Sequence, residues 1–301
     1  METLNNHSEN IKEKETGRAT RSVDFKVAHN QSAEQLKQFI EIIDPKPGEV
    51  ILDSMCGYGA VAKEILDFTK TKGFQPDIYL LDNSDLQLSA AKNNLKLTND
   101  RVISSGVEST PFPQDTFDTV VMKMGLHELP KEKQVDALKE MFRVLKRGGK
   151  FVTWELALED VSVQKIFQDI MRKKDELAGF DDLVANRYFQ SHNEMISFLE
   201  SAGFLDVRVR QTISSELSLR VREKELISKD RVDILARNGV ITEQDEEYLS
   251  RIGKERCDML ISYVKEYMSQ FSDEIKKKFK YREMEGDVYF TPEIEVFVGK
   301  K

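Results

Sequence analysis

Residues 50–59, Val-Ile-Leu-Asp-Ser-Met-Cys-Gly-Tyr-Gly, constrain this chain more than any other stretch. An apolar run, Val50 to Leu52, ends at Asp53. Gly57 and Gly59 follow at alternate positions, and the helix-compatible run Ala60 to Phe68 comes next. This is the pattern of a buried parallel strand that turns tightly into a helix and leaves its backbone bare for a ligand. A second apolar run, Ile78 to Leu81, ends in Asp82, 23 residues beyond Gly59. An acid at that distance suits the hydroxyls of a ribose. Together the two features predict a nucleoside-containing cofactor across the C-terminal edge of a parallel sheet.

The rest of the first half alternates in the same way. Leu36, Phe39, Ile40 and Ile43 share one face of a helix expected over Ala33 to Ile43, broken by Asp44-Pro45-Lys46-Pro47-Gly48. Strands are expected at Glu49–Asp53, Asp77–Asp82, Arg101–Ser105, Phe117–Met122 and Lys150–Glu155. Helices run between them to about Thr71, from Asp85 to Thr98, and from Glu132 to Leu145 with a glycine stop at Arg147-Gly148-Gly149. Such alternation implies a parallel sheet with helices on both faces.

Two segments depart from it. Residues 157–190 are charged and helical in pattern, ahead of a helix over His192 to Ala202. Residues 214–286 are also helical: Thr242-Glu243-Gln244-Asp245 is a capping signal, and Leu249, Ile252, Met259, Leu260, Tyr263, Val264 and Tyr267 keep roughly helical spacing. Alternating strands at Asp206–Thr212 and Glu293–Gly299 flank this segment and are expected to pair antiparallel at one sheet edge. The organisation expected is a polar tail over 1–22, a core over 23–213 with a helical cap segment at 157–190, a helical insertion acting as a substrate lid over 214–290, and a final core strand over 291–301.

Composition narrows the class of partner. The formal charge is −8, and no dense basic cluster occurs beyond Lys276-Lys277-Lys278, which argues against nucleic acid as the main partner. Only two cysteines are present, Cys56 and Cys257, without paired spacing; this excludes a disulfide scaffold or a structural zinc site and suits a reducing cytoplasm. No metal is required by any residue cluster. No run of about 18 apolar residues appears, and Met1 to Arg21 lacks a hydrophobic signal core, so a soluble cytoplasmic protein without a membrane span is expected.

Four pieces, in order, carry a family resemblance: Ile51 to Gly59; Leu81-Asp82-Asn83-Ser84; Val107 to Asp118, with its Pro111-Phe112-Pro113 and Phe117-Asp118; and Leu138 to Gly149. Over roughly Ala33 to Thr212, with a return at the final strand, the chain resembles the class I S-adenosylmethionine (SAM) dependent methyltransferases. Within that class, Met124-Gly125-Leu126-His127 and the run Glu140 to Lys146 are similar to the ubiquinone and menaquinone biosynthesis methyltransferases. The resemblance implies an α/β, Rossmann-like, doubly wound and mostly parallel seven-stranded sheet, with an antiparallel C-terminal strand and a helical insertion or lid. It implies SAM as cofactor, S-adenosylhomocysteine as product and a small-molecule acceptor, in cofactor or secondary metabolite biosynthesis. Two departures stand out: Met55 where the family has the first glycine of its turn, and Gly106 where an aspartate contacts the adenine amine.

On this reading the cofactor-binding residues are Asp53, Cys56, Gly57, Tyr58, Gly59, Asp82, Asn83, Gly106, Val107, Glu108, Lys123 and Met124. Gly57 and Gly59 admit the methionine portion and ribose; Asp82 accepts the ribose hydroxyl protons, with a helix cap as its alternative role. Asp53 orients the loop or receives the cofactor's amino group. The Val107 amide and the Glu108 carboxylate serve the adenine, Glu108 standing in for the acid that Gly106 lacks. Methyl transfer from a sulfonium disperses charge, so the protein chiefly aligns the acceptor and excludes water. A base is needed only if the acceptor must lose a proton, and His127 is the candidate, against packing near the cofactor. Trp154 and Glu155 either line the cleft or belong to the core. Phe167, Met171, Phe180, Tyr188, Phe189, Met259, Tyr263 and Tyr267 enclose an apolar acceptor or simply pack the helices, and the inserted helices also offer a surface for a homo-oligomer.

Two other functions fit parts of the pattern. Gly57-Tyr58-Gly59-Ala60-Val61-Ala62 satisfies the loose dinucleotide form G-x-G-x-x-A, which suits an NAD(P)-dependent oxidoreductase, but the Pro-Phe-Pro stretch and the C-terminal strands do not. The substituted Met55 and Gly106 suit a non-catalytic SAM-binding module.

Overall fold

The computed structural model describes residues 33–158, 161–214 and 216–301, so the tail expected over 1–22 lies outside the described residues, as do His7 and His29. Its first unit comprises residues 33–157, 190–213 and 293–301. Helix α1 (Ala33–Ile43) leads into β1 (Val50–Ser54), α2 (Ala60–Thr71), β2 (Asp77–Asp82), α3 (Asp85–Leu95), β3 (Val102–Ser104), β4 (Phe117–Lys123), α4 (Lys131–Val144) and β5 (Leu145–Leu156). Helix α7 (His192–Ser201), strand β6 (Leu205–Ser214) and strand β10 (Glu293–Lys300) complete it.

The sheet has seven strands in the order β3-β2-β1-β4-β5-β10-β6. Strands β1 to β5 pair parallel, and β10 runs antiparallel to β5, with Val296 opposite Trp154. The chain winds outward from β1 to β3 and then returns to β4 on the other side of β1. Loops leaving β1 and β4 therefore diverge, opening the crevice where such sheets bind ligands. The middle of the central strands is apolar: Ile51, Leu52, Val120, Val121 and Met122 are fully buried, as sheets covered on both faces require.

Several boundaries differ from the sequence reading for identifiable reasons. Helix α4 is not stopped by Gly148 and Gly149. Leu145 already has extended backbone (φ −69°, ψ 142°) and pairs with Phe117, and the glycines bulge within a strand that begins there. Helix α3 ends at Leu95, where Lys96 turns left-handed (φ 56°). The final strand inserts between β5 and β6.

The Val107–Asp118 stretch is held by the helix that follows it. Glu140 Oε1 accepts from the Thr110 N–H and hydroxyl (both 2.7 Å), while Arg143 pairs with Glu140 and donates to the Phe112 carbonyl at 2.8 Å. These bonds outweigh the effect of burial and draw the Glu140 carboxyl down to about 2. Phe112, Phe117 and Tyr79 meet edge to face beneath the clasp, so the Pro-Phe-Pro motif is a structural lock on the entry to β4.

The second unit comprises the described residues of 158–189 and 214–292. It contains α5 (Val161–Ala178), α6 (Asp181–Asn186), α8 (Ser228–Asn238), α9 (Glu243–Ser269) and α10 (Asp273–Lys278). The capping signal at Thr242 forms as a reciprocal box with Asp245. A three-stranded sheet, β7 (Leu217–Ser218), β9 (Asp287–Phe290) and β8 (Arg282–Met284), stands within a segment that read as helical. Phe167, Met171, Phe180 and Phe189 are buried here, with Phe167 edge-on to Phe189 and Phe290. Tyr263 stacks on Tyr267, and Met259 is 56% exposed.

Candidate functional site

The site forms where the five parallel strands end. At the end of β1 the chain turns through Met55 (φ 54°), Gly57 (φ 53°) and Gly59 (φ 73°), all left-handed. Met55 thus makes the bend that a glycine would make, and the loop keeps its path despite the substitution. Room for the Met55 side chain comes from Gly125, where an added Cβ would lie 2.9 Å from both Met55 Cβ and Sδ. Gly59 begins α2, and a Cβ there would meet Ala91 and Leu95 of α3 at 3.1 Å. Close helix packing alone therefore demands glycine at 59. Gly57 is different: its added Cβ would meet only Gln87 Oε1, at 3.3 Å. Tyr58 stays 39% exposed. Burial, reinforced by Asp53 and Asp82, pushes the Cys56 thiol above its ordinary range and leaves it unsuited to nucleophilic attack.

Asp53 is buried and orients the loop: its Oδ2 accepts from the Ala62 N–H (3.0 Å), serving the first turn of α2 that Gly59 cannot cap. Burial, with Asp82 adding repulsion, raises its carboxyl to about 7. A raised folded value means a contribution present below the ordinary carboxylate range and lost as pH rises through about 7. Between pH 5 and 8 the ligand-free protein should lose about 2–3 kcal/mol that the Asp53→Asn variant keeps. Thermal melts of the two proteins across that range check it; parallel profiles would exclude an Asp53 that charges near neutrality.

Asp82 links the second strand to the first loop. Its Oδ2 accepts from the Gly57 N–H at 2.8 Å and its Oδ1 from the Ser84 N–H at 3.0 Å. It is not the cap of α3; that role belongs to Ser84, whose hydroxyl accepts from the Gln87 N–H. An ionised carboxylate only accepts hydrogen bonds, the chemistry that a pair of ribose hydroxyls requires. Asn83 lies in the same turn, half-buried.

Beyond β3, the Ser105 N–H donates to the Asp82 carbonyl (3.0 Å), bringing this loop alongside. Val107 is buried in the main core. A Cβ on Gly106 would come within 3.0 Å of Glu108 Oε2, so the missing side chain at 106 makes room for the carboxylate of 108. Lys133 approaches Glu108 at 3.6 Å.

At the end of β4, Met124 is left-handed (φ 54°) and its N–H donates to the Trp154 carbonyl at 2.8 Å. Lys123 lies over the Trp154 ring, 5.0 Å from its centre. Trp154 itself is fully buried against Phe39 and belongs to the core. A short helical turn, Leu126–Glu128, follows, and His127 on it is 6% exposed. Glu155, at the end of β5, meets His127 Nδ1 at 3.0 Å, a partner the sequence could not supply because 28 residues separate the two. His192 starts α7 and pairs through Nδ1 with Glu295. No group of three or more potential metal ligands exists among the described residues.

A doubly wound sheet, a left-handed bend opened by Gly57 and Gly59 after β1 and an acid bonded to that bend after β2 make an α/β fold of the kind that holds nucleosides. Residues 51–149 match a family described as a methyltransferase domain. The demethylmenaquinone methyltransferase of Geobacillus sp. (strain WCH70) is 29% identical over 54% of this chain and 74% of its own length. That of Bacillus mycoides (strain KBAB4) reaches 34%, over 40% of this chain and about half (49%) of the relative. The crystal structure of the YcgJ protein from Bacillus subtilis covers 90% of this chain and 99% of its own, with a TM-score of 0.64 at 16% identity, a likeness of fold. Residues 51–149 are thus a methyltransferase domain, and the chain is a SAM-dependent methyltransferase that takes SAM as its methyl donor. Nothing supports the oxidoreductase alternative: the glycine bend that fits a loose dinucleotide pattern lies inside the matched methyltransferase domain.

Proposed function

We propose that this enzyme methylates an apolar small molecule of the quinone-precursor kind, with the donor held by Gly57, Asp82, Val107 and Glu108 and His127 as base. The observation that carries the site assignment is the 2.8 Å bond from the Gly57 N–H to Asp82, which ties the bare bend and the ribose-competent acid into one cradle. The acceptor class is supported by the demethylmenaquinone methyltransferases among its relatives.

When bound, SAM supplies an activated methyl group; the remaining work falls to the chain. Asp53, raised to about 7 chiefly by burial, is suited to a cationic amine. Asp82 fixes the ribose, and Glu108, folded over Gly106, takes the exocyclic amine of the adenine. His127 takes the proton of an acidic acceptor as the new bond forms. We assign the choice of acceptor to the helical unit, since every residue proposed for the donor belongs to the α/β unit.

A cytoplasmic setting accompanies this reading: both cysteines are unpaired, and among the described residues no helix is long and apolar enough to cross a membrane. So does a homo-oligomer through α9, whose Tyr248 and Met259 are exposed and, 11 residues apart, share a face. Sedimentation giving only monomers at micromolar concentration would remove that surface.

The assay is transfer of labelled methyl from SAM to a short-chain demethylnaphthoquinol. Transfer supports the acceptor class. SAM binding without transfer rejects that class, and absence of SAM binding rejects the site.

A further inference from the structure

We propose that Glu155 is a positioning residue that fixes the tautomer of His127, leaving Nε2 as the basic nitrogen of the site. The proposal concerns the ring itself; its bearing on methyl transfer rests on His127 serving as the base.

Glu155 has no exposed surface, although it ends a strand. A buried carboxylate is costly unless its lone pairs are filled. Here they are filled in a specific way. Oε1 accepts the Gly125 N–H (2.7 Å) and the Leu126 N–H (2.8 Å), the donors at the start of the turn Leu126–Glu128. Oε2 faces His127 Nδ1 at 3.0 Å. One side chain therefore holds both the backbone on which His127 is mounted and one nitrogen of its ring.

Glu295 lies directly opposite Glu155 on β10, so the two carboxylates share a face of the sheet. Glu295 is engaged by His192 Nδ1 (2.6 Å) and by the Thr212 hydroxyl (3.4 Å). Two adjacent acids thus each hold the Nδ1 of a different histidine, and neither competes for the other's partner.

A carboxylate with two backbone N–H groups on one oxygen acts as an acceptor, so the hydrogen shared with His127 must sit on Nδ1. A neutral imidazole protonated at Nδ1 carries its lone pair at Nε2. The opposite tautomer would present an N–H at Nε2, where a base is needed.

Glu155→Gln inverts the arrangement at nearly constant volume. The amide oxygen can still accept from Gly125 and Leu126, but the amide nitrogen then donates to Nδ1 and drives the proton to Nε2. Nitrogen-15 spectra of the imidazoles, followed through a pH titration, read this directly. The His127 signals are identified by their loss in His127→Gln. The expected result is an Nδ1–H ring in the wild type and an Nε2–H ring in Glu155→Gln. An Nε2–H ring in the wild type, or an unchanged tautomer in the variant, overturns the proposal. The wild-type spectrum alone decides if the variant fails to fold. SAM affinity by calorimetry should stay within about twofold in the variant, while turnover on an acceptor that must lose a proton should fall about 100- to 10,000-fold. The spectra need neither donor nor acceptor, so a wrong acceptor leaves them intact and a wrong tautomer leaves the methyltransferase assignment standing.

Discussion

Replacing Asp82 with alanine should weaken SAM binding about 100-fold while leaving the protein folded. Two charge-assisted hydrogen bonds to ribose hydroxyls, each worth about 1.5–3 kcal/mol, are lost together, and about 3 kcal/mol corresponds to that factor. The carboxylate also anchors the Gly57 and Ser84 amides, at 2.8 and 3.0 Å, so the variant loosens the bend as well as the ribose. Asp82→Asn retains one acceptor oxygen and should fall between alanine and the wild type. Calorimetric titration with SAM reads the series, and circular dichroism separates lost affinity from lost fold. A Kd in Asp82→Ala within threefold of the wild type would remove Asp82 from the site.

The second large effect is on stability. Gly59→Val should destabilise the protein by about 3 kcal/mol. A β-branched side chain at φ 73° is strained by about 1–2 kcal/mol, and its Cβ would press within 3.1 Å of Ala91 and Leu95. Overpacking adds about 1–3 kcal/mol. The neighbours are a helix backbone and two apolar side chains, none able to move into water. Denaturant unfolding measures the loss, and a change under 1 kcal/mol would show that α2 and α3 separate freely. The same variant keeps Asp82, so its defect should be one of folding before it is one of binding.

How much of this was legible depended on whether a residue's partner lay nearby in the chain. Helix α1 reads from four apolar residues on one face, and β2 from an apolar run bounded by acids. The glycine bend and Asp82 are visible because their spacing follows from one strand–helix–strand unit. The end of α4 was not: Leu138, Met141 and Leu145 continue helical spacing, and only pairing of Leu145 with Phe117 converts the last of them to strand. Strand β8 escaped because Arg282, Glu283 and Met284 are all exposed and carry no alternation.

The site divides along the same line. Asp53 could be placed at a strand end, yet its rise to about 7 depends on burial, which no local pattern shows. Gly106 read as a defect where an acid was expected; it is the space into which Glu108 folds. Met55 read as a departure, and its fit against Gly125 joins loops 70 residues apart. His127 was singled out alone, whereas its partner Glu155 belongs to a strand that only the sheet order brings beside it.

A crystal structure with S-adenosylhomocysteine bound tests the central claim most directly. The account predicts the ribose hydroxyls within hydrogen-bonding distance of both Asp82 carboxylate oxygens, with the ligand against the bare backbone of Gly57. A ligand seated elsewhere, or a ribose held by other residues with Asp82 turned away, would contradict it.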